Sequence, residues 1–177
     1  MSFDVATLRS YVRDVPDFPK TGIVFKDIAP LLASPDAFGA VLDAMAAHFS
    51  GPRGFDAIVG IESRGFIFGA ALAARTRSSF IPVRKPGKLP GAKDRVEYAL
   101  EYGTDALEMQ RDVLTPGQRV LVVDDVIATG GTVGAAIKLI RRQGGVVVGA
   151  AFAIELSFLE GRKRLPADTE CFSLITY

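Results

Sequence analysis

The stretch from Arg119 to Gly134 reads RVLVVDDVIATGGTVG, and the other predicted elements are arranged around it. Its first part, VLVV, is an apolar run rich in valine, which is typical of a strand buried on both faces. Two carboxylates, Asp124 and Asp125, follow at the predicted end of that strand. The small residues Ala128–Thr132 then lead into a predicted helix over 134–142. A strand, an acidic pair, a small-residue loop and a helix in this order indicate a site for a phosphorylated sugar.

The loop and the acidic pair suit different parts of one ligand. The first turn of a helix offers unpaired backbone N–H groups and the positive end of the helix dipole, so it binds anions. Gly130 and Gly131 let a phosphate approach the backbone closely, and Thr129 and Thr132 add hydroxyl donors. The adjacent carboxylates match two ribose hydroxyls, which points to a ribose 5-phosphate. The alternative is an ordinary strand-to-helix turn beside a solvated acidic pair, because short glycine motifs also arise by chance.

Size, charge and cysteine content narrow the class of protein. A chain of 177 residues predicts a single domain over 1–177. A net charge of +1 gives no electrostatic case for a nucleic-acid partner. The one cysteine, Cys171, excludes an internal disulfide and fits a reducing compartment. No apolar run approaches the roughly 20 residues that span a bilayer, and the first residues lack the layout of a signal peptide. We therefore expect a cytoplasmic protein without a membrane partner.

Alternating strand and helix patterns predict an α/β fold, with a mostly parallel central sheet flanked by helices. Helical periodicity predicts one helix over 2–14, ended by Pro16, and another over 35–49, capped by Ser34. Besides the strand that begins at Val120, strands are predicted over 57–61, 80–83, 146–154 and 171–177.

Two segments have less regular patterns. Residues 94–102 alternate between apolar and polar, which predicts a strand. Residues 106–110 follow as its hairpin partner or, alternatively, as part of a short helix over 106–113. Residues 17–32, DFPKTGIVFKDIAPLL, contain too many apolar groups for a solvated loop and too much proline and glycine for a long element. They either pack into the core, which their spacing favours, or cover a planar ligand with an aromatic ring.

Basic residues follow two other predicted strands. Arg64 lies in the turn ESRG, and Arg84, Lys85, Lys88 and Lys93 lie close together in the next loop. Open α/β sheets bind ligands at the carboxyl ends of their strands, so these cations and the acidic pair are expected to converge. Together they suit a ligand with a 5-phosphate at one end and a pyrophosphate at the other, with Mg²⁺ on the pyrophosphate. The structural alternatives are a helix-capping turn and a solvated charged loop.

The string VLVVDDVIATGGT closely resembles the phosphoribosyl-pyrophosphate motif of the type I phosphoribosyltransferases. Five further motifs, within roughly 17–165, resemble the adenine phosphoribosyltransferases of that family: FPKTGIVFKDIAPLL, GIESRGFIFGAALA, VRKPGKLPG, YALEYGTDALEMQ and IELSFLEGR. The resemblance implies the type I phosphoribosyltransferase fold, with a five-stranded parallel core, a small N-terminal hood from about 15–32 and a flexible β-hairpin loop. It also implies a homodimer that converts adenine and phosphoribosyl pyrophosphate to AMP and pyrophosphate with Mg²⁺, in purine salvage.

The same resemblance assigns roles to individual residues. Adenine would be held by Phe25, by the backbone of Val24 and Lys26, and by Leu156. Pyrophosphate would be bound by Arg64, Arg84, Lys85 and Lys88, some of them across the dimer. Ribose hydroxyls would be bound by Asp124 and Asp125, and the 5-phosphate by Ala128, Thr129, Gly130, Gly131 and Thr132. Glu101 would be the catalytic acid/base at a purine nitrogen, with Arg64 as the other catalytic residue. The pyrophosphate and the ribose hydroxyls would hold Mg²⁺ without a direct protein ligand, and the Glu62–Ser63 peptide is expected to be strained and cis-like.

Two departures from the family pattern and two rival functions stay open. Thr21 stands where the family often has proline, and Lys26 stands where it often has arginine; position 26 is expected to act through its backbone. The first rival is a type I enzyme for another base, such as hypoxanthine/guanine, xanthine or orotate, which the central motif does not distinguish. The second is a regulator that binds phosphoribosyl pyrophosphate without catalysis. The segment FPKTGIVFKDI favours adenine, since it offers an apolar surface and a backbone edge.

Overall fold

The computed structural model describes residues 4–51, 54–99 and 103–177. The chain divides into two compact units, Met1–Ala44 and Met45–Tyr177. The predicted hood lies within the first unit, and the expectation of one domain over the whole chain stays a prediction. In the part of the chain that the structure describes, no helix combines the length and the apolar character needed to cross a membrane.

The first unit contains two short helices, a two-stranded sheet and the beginning of a longer helix. In chain order its elements are α1 (Val5–Ser10), β1 (Arg13–Pro16), β2 (Val24–Asp27), α2 (Ala29–Ala33) and the start of α3 (Pro35–His48). Asp4 caps α1, since its Oδ1 accepts a hydrogen bond from the N–H of Thr7 at 2.7 Å. At the start of α3, the Oγ of Ser34 accepts from the N–H of Ala37 at 3.3 Å, which confirms the predicted cap.

The predicted helix over 2–14 is wrong beyond Ser10. The chain forms β1 instead, and β1 pairs with β2 in antiparallel register. The guanidinium of Arg13 also donates to the carboxylate of Asp27 across this pair, at 2.5 Å. Hydrogen bonds to β2 satisfy the backbone groups for which the helical pattern predicted bonds within the segment. The residue pattern of one segment carries no information about a partner strand elsewhere in the chain.

A five-stranded sheet forms the centre of the second unit. Its elements in chain order are β3 (Ala57–Ile61), α4 (Arg64–Thr76), β4 (Ser79–Val83), β5 (Lys93–Ala99), β6 (Thr104–Gln110), β7 (Arg119–Ile127), α5 (Gly131–Arg142), β8 (Val146–Glu155), two 3₁₀ helices (Ser157–Leu159 and Gly161–Arg164) and β9 (Cys171–Thr176). The strand order is β4-β3-β7-β8-β9, and all neighbouring strands are parallel. This sheet confirms the predicted α/β fold and places the predicted last strand at an edge.

Helices and a hairpin cover the sheet. Helix α4 packs against β3 and β7, and α5 packs against β7, β8 and the antiparallel hairpin of β5 and β6. Val96 and Tyr98 of β5 are buried, whereas Arg95 and Glu97, which alternate with them, are exposed, as the pattern predicted. The structure confirms the hairpin, and the alternative short helix over 106–113 is wrong because β6 pairs with β5 along its whole length.

The central stretch differs from its prediction at two boundaries. Strand β7 does not end at Val123 but continues to Ile127, because its pairing with β8 continues to Glu155. The two aspartates therefore lie within the strand and not after it. Helix α5 begins at Gly131, three residues before the predicted start, so Thr132 belongs to its first turn.

Gly149 of β8 lies close to Phe49 and Glu170, and a side chain at this position would prevent that contact. A Cβ there would lie 2.8 Å from Cζ of Phe49 and 2.9 Å from the carbonyl oxygen of Glu170. We expect Gly149→Ala to lower the free energy of unfolding by about 1–3 kcal/mol through overpacking, measured by urea denaturation. Gly134→Ala in α5 is the matched control, since a Cβ there meets nothing within 4 Å. An equal loss of stability in both variants would contradict this packing argument.

Candidate active site

The carboxyl ends of four neighbouring strands form the edge at which the residues predicted to bind ribose and its phosphates lie. Strands β4, β3, β7 and β8 are adjacent and parallel, so the residues at and just beyond their carboxyl ends lie at one edge of the sheet. In that order they bring Arg84, Glu62, the acidic pair and Glu155 to this edge. Ligands of open α/β sheets bind at such an edge, as the sequence predicted.

The acidic pair lies side by side near the end of β7. The side chain of Asp125 is 5% exposed, and its Oδ2 accepts from Nε of Arg64 at 2.8 Å. Its backbone N–H donates to Oδ1 of Asp124 at 2.9 Å. Burial raises the pKa of both carboxyls, and the negative charge of Asp125 raises the pKa of Asp124 further. Hydrogen-bond donors such as sugar hydroxyls would stabilise the ionised form of this pair.

The turn before α4 brings the helix against the acidic pair. A Cβ at Gly65 would lie 2.7 Å from Oδ1 of Asp124, so glycine permits this approach. Ser63, the N-cap residue, has φ 82° and ψ −114°, a conformation that costs a non-glycine residue about 1–3 kcal/mol. The expected cis-like bond between Glu62 and Ser63 is wrong. Among the described residues the cis peptide is Phe18–Pro19, and the strain lies in the dihedral angles of Ser63.

Two carboxylates hold the loop after β4. Glu62 accepts from Nη2 of Arg84 at 2.8 Å and from the backbone N–H of Lys85 at 2.7 Å. Burial acts to raise the pKa of Glu62, but these two donors outweigh it and leave the pKa below its ordinary value. Glu108, which is buried, accepts from the N–H of Gly87 at 3.1 Å. Sequence reasoning gave neither carboxylate a role, although Glu62 follows a strand and stands in the quoted motif ESRG.

The cations of this loop have different surroundings. Arg84 is paired with Glu62 as described, and Lys88 is exposed. Nζ of Lys85 donates to the hydroxyl of Tyr98 at 2.9 Å and to the carboxylate of Asp105. Partial burial acts to lower the pKa of Lys85, but these contacts outweigh it and raise the pKa. The structure therefore connects the cationic loop to the hairpin of β5 and β6.

The loop after β7 has the geometry of an anion site. Gly130, the N-cap of α5, has a φ of +80°, which favours glycine. The first turn of this 12-residue helix leaves backbone N–H groups without intrahelical acceptors. Ala128, Thr129, Gly131 and Thr132 are half-buried, and Gly130 is buried. The predicted phosphate-binding residues thus surround the start of the helix, within the same edge as the acidic pair.

The residues predicted to hold adenine include three on β2 of the first unit. Val24 is 48% exposed, and Phe25 packs edge-to-face on Phe18 with ring centroids 5.2 Å apart. Nζ of Lys26 pairs with the carboxylate of Asp14 at 2.6 Å. Their role in adenine binding stays a prediction.

Leu156, the fourth predicted adenine residue, directly follows β8. Its N–H donates to the carbonyl oxygen of Ile127 at 3.0 Å. The preceding Glu155 is buried, and both of its carboxylate oxygens accept from Nε of Arg162, at 2.7 and 2.8 Å. Sequence reasoning missed this pair, although the motif IELSFLEGR contains both residues.

Two further predictions concern the acid/base residue and the metal ion. Glu101, the predicted acid/base, lies outside the described residues, between β5 and β6. Within the described ranges, no group of three or more His, Cys, Asp or Glu side chains could hold a metal ion.

The chain is similar to known proteins in both sequence and structure. The family model described as "Phosphoribosyl transferase domain" matches residues 28–176. A curated relative from Sorangium cellulosum, named adenine phosphoribosyltransferase, is 61% identical over 158 residues, which cover 89% of this chain and 78% of the relative.

Solved structures agree with this similarity. The adenine phosphoribosyltransferase of Rhodothermus marinus is 50% identical with a TM-score of 0.93, and the match covers 98% of each chain. The Saccharomyces cerevisiae enzyme, solved with D-2,5-dideoxy-2,5-imino-altritol 1,6-bisphosphate and adenine, is 39% identical with a TM-score of 0.91, over 96% of this chain and 97% of that one. The chain therefore belongs to the phosphoribosyltransferase family of enzymes, and within it to the adenine phosphoribosyltransferases.

Proposed function

We propose that this protein transfers the 5-phosphoribosyl group from phosphoribosyl pyrophosphate to adenine, giving AMP and pyrophosphate, as a Mg²⁺-dependent homodimer in purine salvage. The observation that carries the proposal is the acidic pair beside Arg64 and the helix N-terminus, at one edge of the sheet. The yeast relative solved with adenine and a bisphosphate supports the choice of both substrates.

The edge of the sheet offers complementary groups for each part of phosphoribosyl pyrophosphate. The first turn of α5 and the loop Ala128–Thr132 suit the 5-phosphate. Asp124 and Asp125 suit the ribose hydroxyls, since ionised carboxylates accept strong hydrogen bonds from them. Arg64 and Arg84 suit the pyrophosphate, and each would exchange part of an existing carboxylate contact for the ligand. Lys88 is exposed beside them, and Lys85 would have to leave Asp105 to take part.

The chemistry follows from the charges that develop. Breaking the bond from C1 of ribose to pyrophosphate places positive charge on the sugar and negative charge on the leaving group. Arg64 and Arg84, each oriented by a carboxylate, would stabilise the negative charge that develops on the pyrophosphate. Glu101 would accept a proton from adenine as the base attacks. Adenine would be held by Val24, Phe25, Lys26 and Leu156, an assignment that rests on the family resemblance.

The donor set at this edge fits Mg²⁺ that is bound mainly by the substrate. Mg²⁺ favours phosphate oxygens with few carboxylates, and the two carboxylates of β7 are the ones assigned to the ribose. When bound, Mg²⁺ would neutralise charge on the pyrophosphate. Asp125 already accepts a hydrogen bond from Arg64, so we assign both aspartates to the hydroxyls and not to the metal.

A panel of bases tests the proposed reaction. Adenine, hypoxanthine, guanine, xanthine and orotate are each incubated with phosphoribosyl pyrophosphate and Mg²⁺, and nucleotide formation is measured by chromatography. We expect AMP from adenine and little product from the other bases. A faster reaction with another base would replace adenine as the substrate, and no product from any base would contradict catalysis.

Removing the charge of the acidic pair tests the ribose assignment. Each lost charged hydrogen bond costs about 1.5–3 kcal/mol, so we expect Asp124→Asn with Asp125→Asn to weaken phosphoribosyl pyrophosphate binding at least about 100-fold, measured by calorimetry. Asp168→Asn is the control, because that aspartate pairs with Arg141 on the surface. Wild-type affinity in the double variant would exclude the ribose role.

The same double variant has an expected effect on stability. Burial raises the folded-state pKa of both carboxyls, so the folded protein binds their protons more tightly than the unfolded chain does. Stability therefore falls as the pH rises from about 4 through the raised pKa values, and the ionised pair costs stability at neutral pH. We expect the thermal midpoint at pH 7 to stay the same or rise, which separates lost binding from unfolding.

Glu101→Gln tests the proton acceptor. We expect kcat to fall by about 10²–10⁴-fold while the KM values change little, because glutamine keeps the size of the side chain but accepts no proton. The control is Glu97→Gln in β5, whose carboxylate is exposed and pairs with Arg95. Unchanged turnover in Glu101→Gln would remove the acid/base assignment.

A further inference from the structure

The segment between β8 and β9 is tied to the sheet at its first residues. After Leu156, which donates to Ile127 as described, Ser157 donates to the carbonyl oxygen of Tyr177 from its N–H at 2.9 Å and from its Oγ at 2.6 Å. The residue proposed to contact adenine therefore has a fixed backbone. The rest of the segment, up to Arg164, forms two 3₁₀ helices and does not pair with a strand of the sheet.

The second 3₁₀ helix is anchored by Arg162. Its guanidinium spans the two ends of the segment, since it binds Glu155 at the end of β8 and donates to the carbonyl oxygen of Cys171 at the start of β9, at 2.5 Å. Nη2 also donates to Oγ of Ser173 at 2.5 Å, and that hydroxyl in turn donates to Glu155. The hydrogen bond from Arg162, helped by the one from Ser173, lowers the pKa of Glu155 despite its burial, so the pair is ionised at neutral pH.

Gly161, the residue before Arg162, lies directly against the loop after β7. A Cβ on Gly161 would overlap the carbonyl oxygen of Ala128 and lie 3.0 Å from its carbonyl carbon. In the other direction, a Cβ on Gly130 would overlap the carbonyl oxygen of Gly161 and lie 3.2 Å from its carbonyl carbon. The two backbones are thus in contact with no side chain between them.

We propose that the Glu155–Arg162 pair is a positioning device for the phosphate-binding loop, acting through the backbone contact of Gly161 with Ala128 and Gly130. The inference rests on the proposed function, because it takes the loop after β7 to bind the 5-phosphate. Arg162 sets the position of Gly161 from the far side of the segment, and Gly161 limits the movement of the loop. Neither Arg162 nor Glu155 contacts the substrate.

The chemistry of the pair explains why arginine stands at this position. A guanidinium presents several donors in a rigid fork, and here they reach Glu155, Cys171 and Ser173 at once. The single ammonium of lysine is a point charge that does not bind a carboxylate and a main-chain carbonyl in this fork geometry. A displacement of about 1 Å in a positioning group can cost about 10²-fold in rate or binding. Loss of the Arg162 contacts would therefore displace the loop after β7 and weaken binding there.

Calorimetric titration with ribose 5-phosphate tests this inference, with Arg162→Ala, Arg162→Lys and Gly161→Ala compared with the wild type. We expect about tenfold weaker binding in Arg162→Ala and in Gly161→Ala, where the new Cβ displaces Ala128, and a smaller loss in Arg162→Lys. The matched control is Lys163→Ala, which removes the neighbouring cation and its exposed pair with Glu160. It should keep the wild-type Kd within about twofold.

A second measurement separates positioning from general destabilisation. Steady-state kinetics at 25 °C, on variants whose circular dichroism shows them folded, should give a higher KM for phosphoribosyl pyrophosphate with a smaller change in kcat. If Arg162→Ala does not fold, Glu155→Gln replaces it, since it keeps the side-chain shape and removes the charge that Arg162 binds.

The outcomes distinguish this inference from the proposed function. An unchanged Kd for ribose 5-phosphate in folded Arg162→Ala and Gly161→Ala, or an equal loss in Lys163→Ala, would overturn the positioning role while the proposed function stands. A wild-type protein that binds neither ribose 5-phosphate nor phosphoribosyl pyrophosphate would overturn the proposed function, and this inference with it.

Discussion

The parallel pairing of β7 with β3 on one side and β8 on the other is the constraint on which the site depends. It extends β7 as far as Ile127, opposite Glu155, so the acidic pair is held by a strand and not by a loop. Pairing with β7 also sets the end of β3 beside the acidic pair. Arg64, three residues further along the chain, binds Asp125 from there. Parallel strands place successive carboxyl ends at one edge, and groups far apart in the sequence meet there.

Close contacts at three glycines bring the elements of the candidate site together. Gly65 lets α4 approach Asp124, and Gly130 and Gly161 bring two loops into direct contact. At each of these positions a methyl group would need space that another backbone or a carboxylate of the acidic pair occupies. Glycine therefore serves the structure in two ways, by its positive φ at Gly130 and by the lack of a side chain at all three positions.

The pattern of residues predicted the mostly parallel sheet and its strands, and it offered the hairpin of β5 and β6 beside the alternative of a short helix. It failed for the helix over 2–14, since the ladder between β1 and β2 replaces local hydrogen bonds, and for the end of β7. The predicted ligand-binding residues stood in recognisable motifs after strands. The carboxylates that hold the loop after β4, Glu62 and Glu108, were missed because a supporting residue is defined by its partner and has no pattern of its own.

The sequence by itself determined the fold class and the family, and it predicted a stretch that binds a sugar phosphate, because strand periodicity, an acidic pair and a glycine loop are local features. Only the tertiary structure decided which charges meet. It paired Arg64 with Asp125, Lys85 with Asp105, and Glu155 with Arg162. These pairs depend on strand register and on the path of loops between strands, and both are set by packing between segments distant in the chain. The stretch 119–134 contains the acidic pair and the predicted phosphate-binding loop, and segments distant in the sequence hold that stretch in place.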